Sequence, residues 1–129
     1  MTRLTGWILV VLALVGAGSC SDSNGPVAGE LTVSLATPNP GGDGAILLSV
    51  TGPAVLTSAT AAPGLRVFSQ PLGTVTRFAV TGTLTNGAVL TIGVSNLSQS
   101  AQYAATIQSV AAPDFQLRSL SGYSLTVSR

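Results

Sequence analysis

Apolar and polar side chains alternate along short segments of the chain from residue 31 onward. In the segments 31–35, 46–50 and 123–127, every second residue is Leu, Ile, Val or Tyr. A period of two is typical of a β-strand with one buried face. Further apolar runs rich in β-branched and aromatic residues occupy positions 55–60, 65–69, 74–84, 88–95, 102–110 and 115–120.

Turn-forming residues separate these runs, as in Gly52-Pro53, Pro63-Gly64, Asn86-Gly87 and Pro113-Asp114. Short strands at this spacing predict an all-β protein whose folded part is a single antiparallel β-sandwich of about eight strands. The composition agrees, because Glu occurs once and Lys never, whereas Val, Ile and Thr are common.

The N-terminal pattern is different. Residues 7–15 are nine consecutive apolar residues, with Arg3 before them and the small residues 16–19 after them. This layout is that of a secretory signal. A nine-residue helix is about 14 Å long, against roughly 30 Å of hydrocarbon in a bilayer, so the run is too short to span comfortably. A retained anchor helix is the alternative, since the uncharged stretch runs from Leu4 to Ser21; glycines at both ends of the apolar run weaken it. We therefore expect residues 1–19 to be a cleaved signal peptide with a helical apolar run.

The segment Ala17-Gly18-Ser19-Cys20 resembles the lipobox of bacterial lipoproteins, with Ala17 where that family more often has Leu. The resemblance implies that Cys20 receives a diacylglyceryl thioether, becomes the mature N-terminus and is acylated on its amine. The alternative is an ordinary signal peptide that leaves a free thiol. Cys20 is the one cysteine of the chain, so an exported form has no internal disulfide partner for it. By the same resemblance, Ser21 in place of Asp points to the outer membrane of the cell envelope.

Small and turn-forming residues make up positions 21–29, which predicts a flexible tether with a typical span of about 16 Å. The predicted organisation is a signal peptide at 1–19, a lipidated cysteine with its tether at 20–29, and a β-sandwich domain at 30–129. About 100 residues are enough for one domain that needs neither a disulfide nor a metal.

The charged residues argue against catalysis. The chain has no His and no Lys, so a Ser or Thr nucleophile lacks its usual general base, and transition-metal ligands are scarce. The acids Glu30, Asp43 and Asp114 are expected to be solvated residues in or beside turns, with no spacing that brings two together. The few arginines are scattered and balanced by acids, which excludes a nucleic-acid partner. We expect no catalytic residue, no metal, no small-molecule cofactor and no enzymatic activity.

One hairpin register can be worked out from Asn86-Gly87. A three-residue loop over 85–87 pairs Val80 with Ile92 and Phe78 with Val94, so that the apolar residues of both strands share one face. This predicts Gly87 at positive φ in a bulged hairpin, provided that the two strands are neighbours in a sheet.

The segment from Gln99 to Ala105 resembles the corner of immunoglobulin domains, in which Asp-x-Ala-x-Tyr-x-Cys precedes a strand. Gln99 stands for the Asp and Ala105 for the Cys. The resemblance implies an immunoglobulin-like sandwich in which the Tyr103 hydroxyl bonds to an upstream backbone group. Tyr103 as a core ring with its oxygen in water is the alternative. Exported sandwiches of the cohesin and carbohydrate-binding type have a similar strand spacing.

A possible interaction surface is formed by Arg66 and Phe68, which share one face of a strand, together with Arg77 from a neighbouring strand. Arginine beside an aromatic ring is typical of interface centres. The alternative, which we favour from the sequence, places Phe68 in the core with Arg66 at its rim.

Together these features predict a membrane-anchored envelope lipoprotein acting as a non-catalytic structural or protein-interaction module. Its expected partners are the membrane, through the lipid on Cys20, and an envelope protein or polysaccharide. A carbohydrate-binding module is the alternative, and it requires an exposed row of aromatic side chains.

Overall fold

The computed structural model describes residues 25–129. The predicted signal peptide, Cys20 and the first part of the tether lie outside the described residues. The described segment folds into eight strands and one short 3-10 helix, Leu97–Gln102. This confirms the all-β prediction and the antiparallel sandwich. In the described segment, no helix is both long and apolar enough to cross a membrane.

The strands form two antiparallel sheets of four strands each, here called sheet A and sheet B. Sheet A has the order β3 (Ser58–Ala61), β6 (Gly87–Val94), β1 (Gly29–Ala36) and β8 (Ser124–Ser128). Sheet B has the order β4 (Arg66–Leu72), β5 (Val75–Leu84), β2 (Asp43–Thr51) and β7 (Ala104–Ala111).

The chain is wound as a set of nested strand pairs. β4 pairs with β5, β3 with β6, β2 with β7 and β1 with β8. Within the sheets, β1 also pairs with β6 and β2 with β5. In an immunoglobulin constant domain the first two strands are neighbours in one sheet, whereas here β1 and β2 lie in opposite sheets. The predicted immunoglobulin-like type is therefore not confirmed.

The period-two pattern explains the core. Every second residue of β1, β2, β5 and β6 points between the sheets, where the side chains are removed from water. The buried apolar side chains are Leu31, Val33, Leu35, Ile46, Leu48, Val50, Phe78, Val80, Leu84, Val89, Leu90, Ile92, Val94, Tyr103 and Val110. These side chains form one hydrophobic core between the two sheets of the described segment.

The sandwich has two distinct ends. β1 begins at Gly29, beside the end of β6 at Val94, so the end that holds these residues adjoins the tether; we call it the proximal end. At the opposite, distal end, Ala36 is paired with Ser124. The distal end therefore carries the connections 37–42, 62–65, 85–86 and 112–123. The last part of the tether is attached to the domain, because the Val27 carbonyl accepts a hydrogen bond from the Leu97 N–H (2.8 Å).

Two local predictions are wrong. The run 115–120 is not a strand; of its residues, only Leu117 forms a bridge, with Ala111. The register predicted for 85–87 fails because its condition fails: β5 and β6 lie in different sheets. The apolar residues of both strands are nevertheless buried, since each strand faces the core from its own sheet. Gly87 does have positive φ (120°), at a crossing between sheets rather than in a hairpin.

Neither prediction for the Tyr103 hydroxyl holds. The Tyr103 ring is buried against Gly52, just before β7. Its hydroxyl oxygen is also buried, and it makes no hydrogen bond with any described residue. The corner bond inferred from the resemblance is therefore missing, and the oxygen does not lie at the surface.

Tyr103→Phe is expected to raise the free energy of unfolding by about 1 kcal/mol, because it removes a buried polar group that lacks a partner. Urea denaturation followed by circular dichroism measures the change. Tyr123→Phe is the matched control and is expected to destabilise, since the Tyr123 hydroxyl is bonded to Asp43. A loss of about 1 kcal/mol in Tyr103→Phe would instead support the corner bond.

Candidate functional site: the outer face of sheet B

The outer faces of the two sheets differ in chemistry. Across sheet A the register places four hydroxyl side chains side by side: Thr60, Thr91, Thr32 and Ser128. None of the large apolar side chains that are exposed in the described segment belongs to sheet A, whereas Leu47, Phe68 and Leu72 belong to sheet B. The outer face of sheet B is thus the sheet surface with an apolar character.

A shallow groove crosses the outer face of sheet B. The register aligns Phe68 of β4, Ala79 of β5 and Leu47 of β2 in one row. Neighbouring strands are about 4.8 Å apart, so Phe68 and Leu47 stand about 10 Å apart with only the alanine methyl between them. The resulting open groove has a volume of about 310 Å³. It is lined by Leu47, Phe68, Ser69, Gln70, Arg77, Phe78, Ala79 and Gln108.

The three predicted surface residues lie together on this face. Phe68 is 59% exposed, so the favoured interpretation of Phe68 as a core residue is wrong. Arg77 is paired with Gln70, two residues along β4 from Phe68, and Arg66 lies two residues before Phe68. Among the described residues neither Arg66 nor Arg77 forms an ion pair. The outer face of sheet B therefore combines an apolar groove with two exposed arginines: Arg77 lines the groove, and Arg66 lies two residues before Phe68 on the same strand.

Sequence reasoning missed Leu47 and Gln108. The signal for Leu47 is the run Ile46-Leu47-Leu48: when Ile46 and Leu48 point inward, the residue between them must point outward. Gln108 had no such signal. It lies at a bulge, where the pairing of β2 with β7 shifts by one residue between Leu47 and Leu48. The bulge places an exposed amide beside Leu47 at the edge of the groove.

A second polar site lies at the distal end, around Asp43. Asp43 was expected to be a solvated turn residue, but it is 1% exposed. Its carboxylate accepts hydrogen bonds from Thr37 Oγ1 (2.8 Å), from the Tyr123 hydroxyl (2.9 Å) and from Arg118 Nε (3.2 Å). Asn39 Nδ2 donates to the Tyr123 oxygen (2.9 Å). We call these five residues the Asp43 cluster.

The Asp43 cluster joins segments that are distant in sequence. Arg118 Nη2 also donates to the Gly42 carbonyl (2.9 Å), so one guanidinium holds both the carboxylate and the backbone of the β1–β2 connection. Donors from the protein itself surround both carboxylate oxygens. This arrangement is that of a structural brace, because the carboxylate is held by donors from both connections and no other described carboxylate hydrogen-bonds within the cluster.

The other two acids of the described segment are solvent-exposed. Glu30 lies on β1, and Asp114 Oδ1 accepts a hydrogen bond from the Gln116 N–H (3.2 Å) in the β7–β8 connection. Over residues 25–129, no three His, Cys, Asp or Glu side chains lie close enough together to hold a metal ion. No family model matches the chain, and no curated protein or solved structure matches it either. The features of the chain that bear on its function are therefore the groove on sheet B and the N-terminal segment.

Proposed function

We propose that this protein is a lipid-anchored component of a bacterial cell envelope that acts as a non-catalytic protein-interaction module. The observation that carries the proposal is the groove on sheet B, where Phe68 and Leu47 flank Ala79. Arg77 lines this groove and Arg66 is nearby on β4, and neither forms an ion pair with a described residue. The hydroxyl-covered face of sheet A offers nothing comparable.

The groove has the composition of an interface centre. Aromatic residues and arginines are enriched where protein partners bury side chains, because each provides a large contact area together with directional bonds. A four-stranded sheet with strands of this length presents a face of about 500 Å². An area of that size per partner is typical of weak and transient contacts. The groove would suit a partner segment with an apolar side chain flanked by carboxylates or carbonyls, which Arg66 and Arg77 can bind.

The anchor is proposed from the lipobox-like segment Ala17-Gly18-Ser19-Cys20. The described domain is consistent with an anchored form, since its first strand begins nine residues after Cys20, at the proximal end. The two or three acyl chains that the resemblance implies would hold the domain at a membrane, because one chain alone anchors only marginally. By the same resemblance the membrane is the outer membrane.

Metabolic labelling with a radioactive fatty acid tests the anchor. The wild-type chain, expressed in a bacterium with a lipoprotein pathway, is expected to incorporate label and to sediment with membranes. Cys20→Ala removes the only thiol of the chain and is expected to abolish incorporation of the label. Cys20→Ser, which retains a polar side chain of similar size, serves as the matched control and is expected to behave like Cys20→Ala. Equal labelling of all three chains would contradict the anchor.

A photoreactive phenylalanine analogue tests the groove. Placed at position 68 in the full chain, it is expected to give a discrete crosslinked adduct in living cells, because the Phe68 ring lies at the proposed contact. The same analogue at Thr126, exposed on sheet A, provides the matched control and is expected to give none. The Leu47→Ser substitution, in the opposite wall of the groove, is expected to weaken the adduct severalfold. An identical adduct from positions 68 and 126 would refute the proposal.

The carbohydrate-binding alternative predicts a row of exposed aromatic rings. Phe68 is the one exposed aromatic residue lining the groove. Tyr103 is buried, and the Tyr123 hydroxyl belongs to the Asp43 cluster. The amides of Gln70 and Gln108 beside Phe68 are nevertheless groups that bond to sugar hydroxyls. A glycan array separates the two functions, since saturable binding that Phe68→Ala abolishes would favour the carbohydrate ligand.

A further inference from the structure

The most exposed apolar side chains of the described segment lie on a short hairpin at the distal end, residues 112–118, which we call the distal hairpin. It extends β7 and turns back on itself. The Phe115 N–H donates to the Ala112 carbonyl (2.9 Å), and the Ala112 N–H donates to the Gln116 carbonyl (2.9 Å). The Arg118 N–H donates to the Val110 carbonyl (2.8 Å). These bonds define a three-residue turn, Pro113-Asp114-Phe115.

Two apolar side chains project from this turn. Phe115 is 91% exposed and Leu117 is 75% exposed, so both contact little of their own chain. Phe115 has φ of 69°, and it is the one non-glycine residue with positive φ among the described residues. The third position of such a turn favours glycine, because a bulky side chain is strained in the left-handed region. This chain instead has a phenyl ring there, at the tip of the turn.

The base of the distal hairpin is braced. The Arg118 guanidinium is bonded to the buried Asp43 carboxylate and to the Gly42 carbonyl. Asp114 Oδ1 accepts from the Gln116 N–H, which closes the turn from within. The two apolar side chains are therefore held on a structured support at the end of the sandwich opposite to the tether.

The area and the charge of the tip identify what it can contact. Phe115 and Leu117 expose roughly 300 Å² between them, against about 800 Å² per partner in a standard protein interface. The neighbouring distal connection 37–42 consists of Thr, Pro, Asn and Gly, which does not enlarge the apolar area. Insertion into a lipid bilayer needs no further apolar area on the protein, because lipid surrounds the two inserted side chains. An aromatic ring is also well suited to the bilayer interface.

The charges of the distal hairpin further restrict the kind of lipid surface that it can bind. The Arg118 charge is neutralised by Asp43, and Asp114 at the tip is negative. The distal hairpin thus has no free basic group with which to bind anionic lipid headgroups. We infer that the distal hairpin inserts Phe115 and Leu117 into the surface of a zwitterionic lipid bilayer, as a membrane contact separate from any lipid on Cys20.

The test uses residues 25–129, which contain the core described above and neither Cys20 nor the single Trp of the chain, Trp7. Cooperative thermal unfolding establishes that this segment is folded. Phe115→Trp then provides a single fluorophore at the tip. With phosphatidylcholine vesicles, its emission is expected to shift to the blue and to be quenched by lipids brominated on their acyl chains. Phe68→Trp places the same fluorophore on sheet B and is expected to show neither effect.

Vesicle flotation measures the contribution of the side chains. The double substitution Phe115→Ser with Leu117→Ser is expected to lower the fraction bound to phosphatidylcholine vesicles about tenfold or more, as expected when two large apolar groups no longer leave water. The matched control, Phe68→Ser with Leu47→Ser, removes a similar apolar area from sheet B and is expected to leave binding unchanged. Binding is also expected to persist in about 0.5 M salt, where surface electrostatic attraction is screened.

Three results would overturn the inference. The first is unchanged Phe115→Trp emission in the presence of vesicles. The second is binding that occurs only with anionic vesicles and is abolished by salt. The third is self-association of the segment, detected by sedimentation and removed by the double substitution Phe115→Ser with Leu117→Ser. The two exposed side chains would then contact a second copy of the protein and not lipid. If the segment does not unfold cooperatively, the full chain with Trp7→Phe, reconstituted in the same vesicles, provides the same measurement. Because residues 25–129 lack Cys20, the results obtained with this segment do not depend on lipidation.

Discussion

Asp43→Ala is expected to lower the free energy of unfolding by about 3 kcal/mol, the largest effect predicted for a polar residue of this protein. The substitution removes the acceptor of three side-chain donors: the Thr37 hydroxyl, the Tyr123 hydroxyl and the Arg118 guanidinium. Thr37 is buried, so its hydroxyl loses a partner without gaining water. Arg118 is partly exposed and can be solvated again, which keeps the loss below that of a fully buried ion pair.

Urea denaturation of residues 25–129 measures this loss. Glu30→Ala provides the matched control, because Glu30 is an exposed acid on β1, and it is expected to change the free energy of unfolding by less than about 0.5 kcal/mol. Tyr123→Phe removes one donor to Asp43 and the acceptor of the Asn39 amide, and it is expected to cost about 1 kcal/mol. Asp43→Ala and Glu30→Ala with the same urea midpoint would show that the Asp43 cluster does not brace the distal end.

Gly52→Ala is expected to lower the free energy of unfolding by about 2 kcal/mol, although Gly→Ala is often stabilising at a compatible site. A Cβ atom at position 52 would overlap Cδ1 and Cε1 of the Tyr103 ring. The ring is buried between the sheets and cannot swing into solvent, so the backbone of the β2–β3 connection or the ring itself must shift.

A double-mutant cycle isolates this contact. In a Tyr103→Leu background, where the ring is absent, Gly52→Ala is expected to cost less than about 1 kcal/mol, and the difference is the coupling energy. The free energies of unfolding come from denaturation of the four chains under the same conditions. An equal cost in both backgrounds would mean that the effect of residue 52 comes from its own backbone and not from the Tyr103 ring.

The alternation of apolar and polar side chains predicted where the strands lie better than it predicted which strands pair in a sheet. The segments 31–35 and 46–50 became β1 and β2 with the expected residues inside, because the direction of a side chain depends only on its parity along the strand. Asn86-Gly87 also suits a hairpin, yet β5 and β6 do not pair. The membership of a strand in a sheet depends on residues far along the chain, so no local turn signal could reveal it.

In the candidate sites too, the sequence predicted the direction of side chains but not what packs against them. Parity correctly placed Arg66 and Phe68 on one face of β4, but β4 has apolar side chains in both parities, Val67 inward and Phe68 outward. Phe68 is exposed because no element of the described segment packs over the outer face of sheet B. The Asp43 carboxylate looked like an isolated turn residue for a related reason: its donors Arg118 and Tyr123 are 75 and 80 residues away.

The sequence by itself determined what depends on neighbouring residues: most of the strands, their alternating faces, and the N-terminal pattern that predicts an anchor. The tertiary structure alone decided which faces remain open to solvent, that Asp43 is buried within a ring of donors, and that the run 115–120 begins in the turn of a hairpin with Phe115 exposed. The physical reason is that side-chain direction is a local property of the backbone, whereas burial and hydrogen-bond partners are set by whichever distant segments pack against a residue.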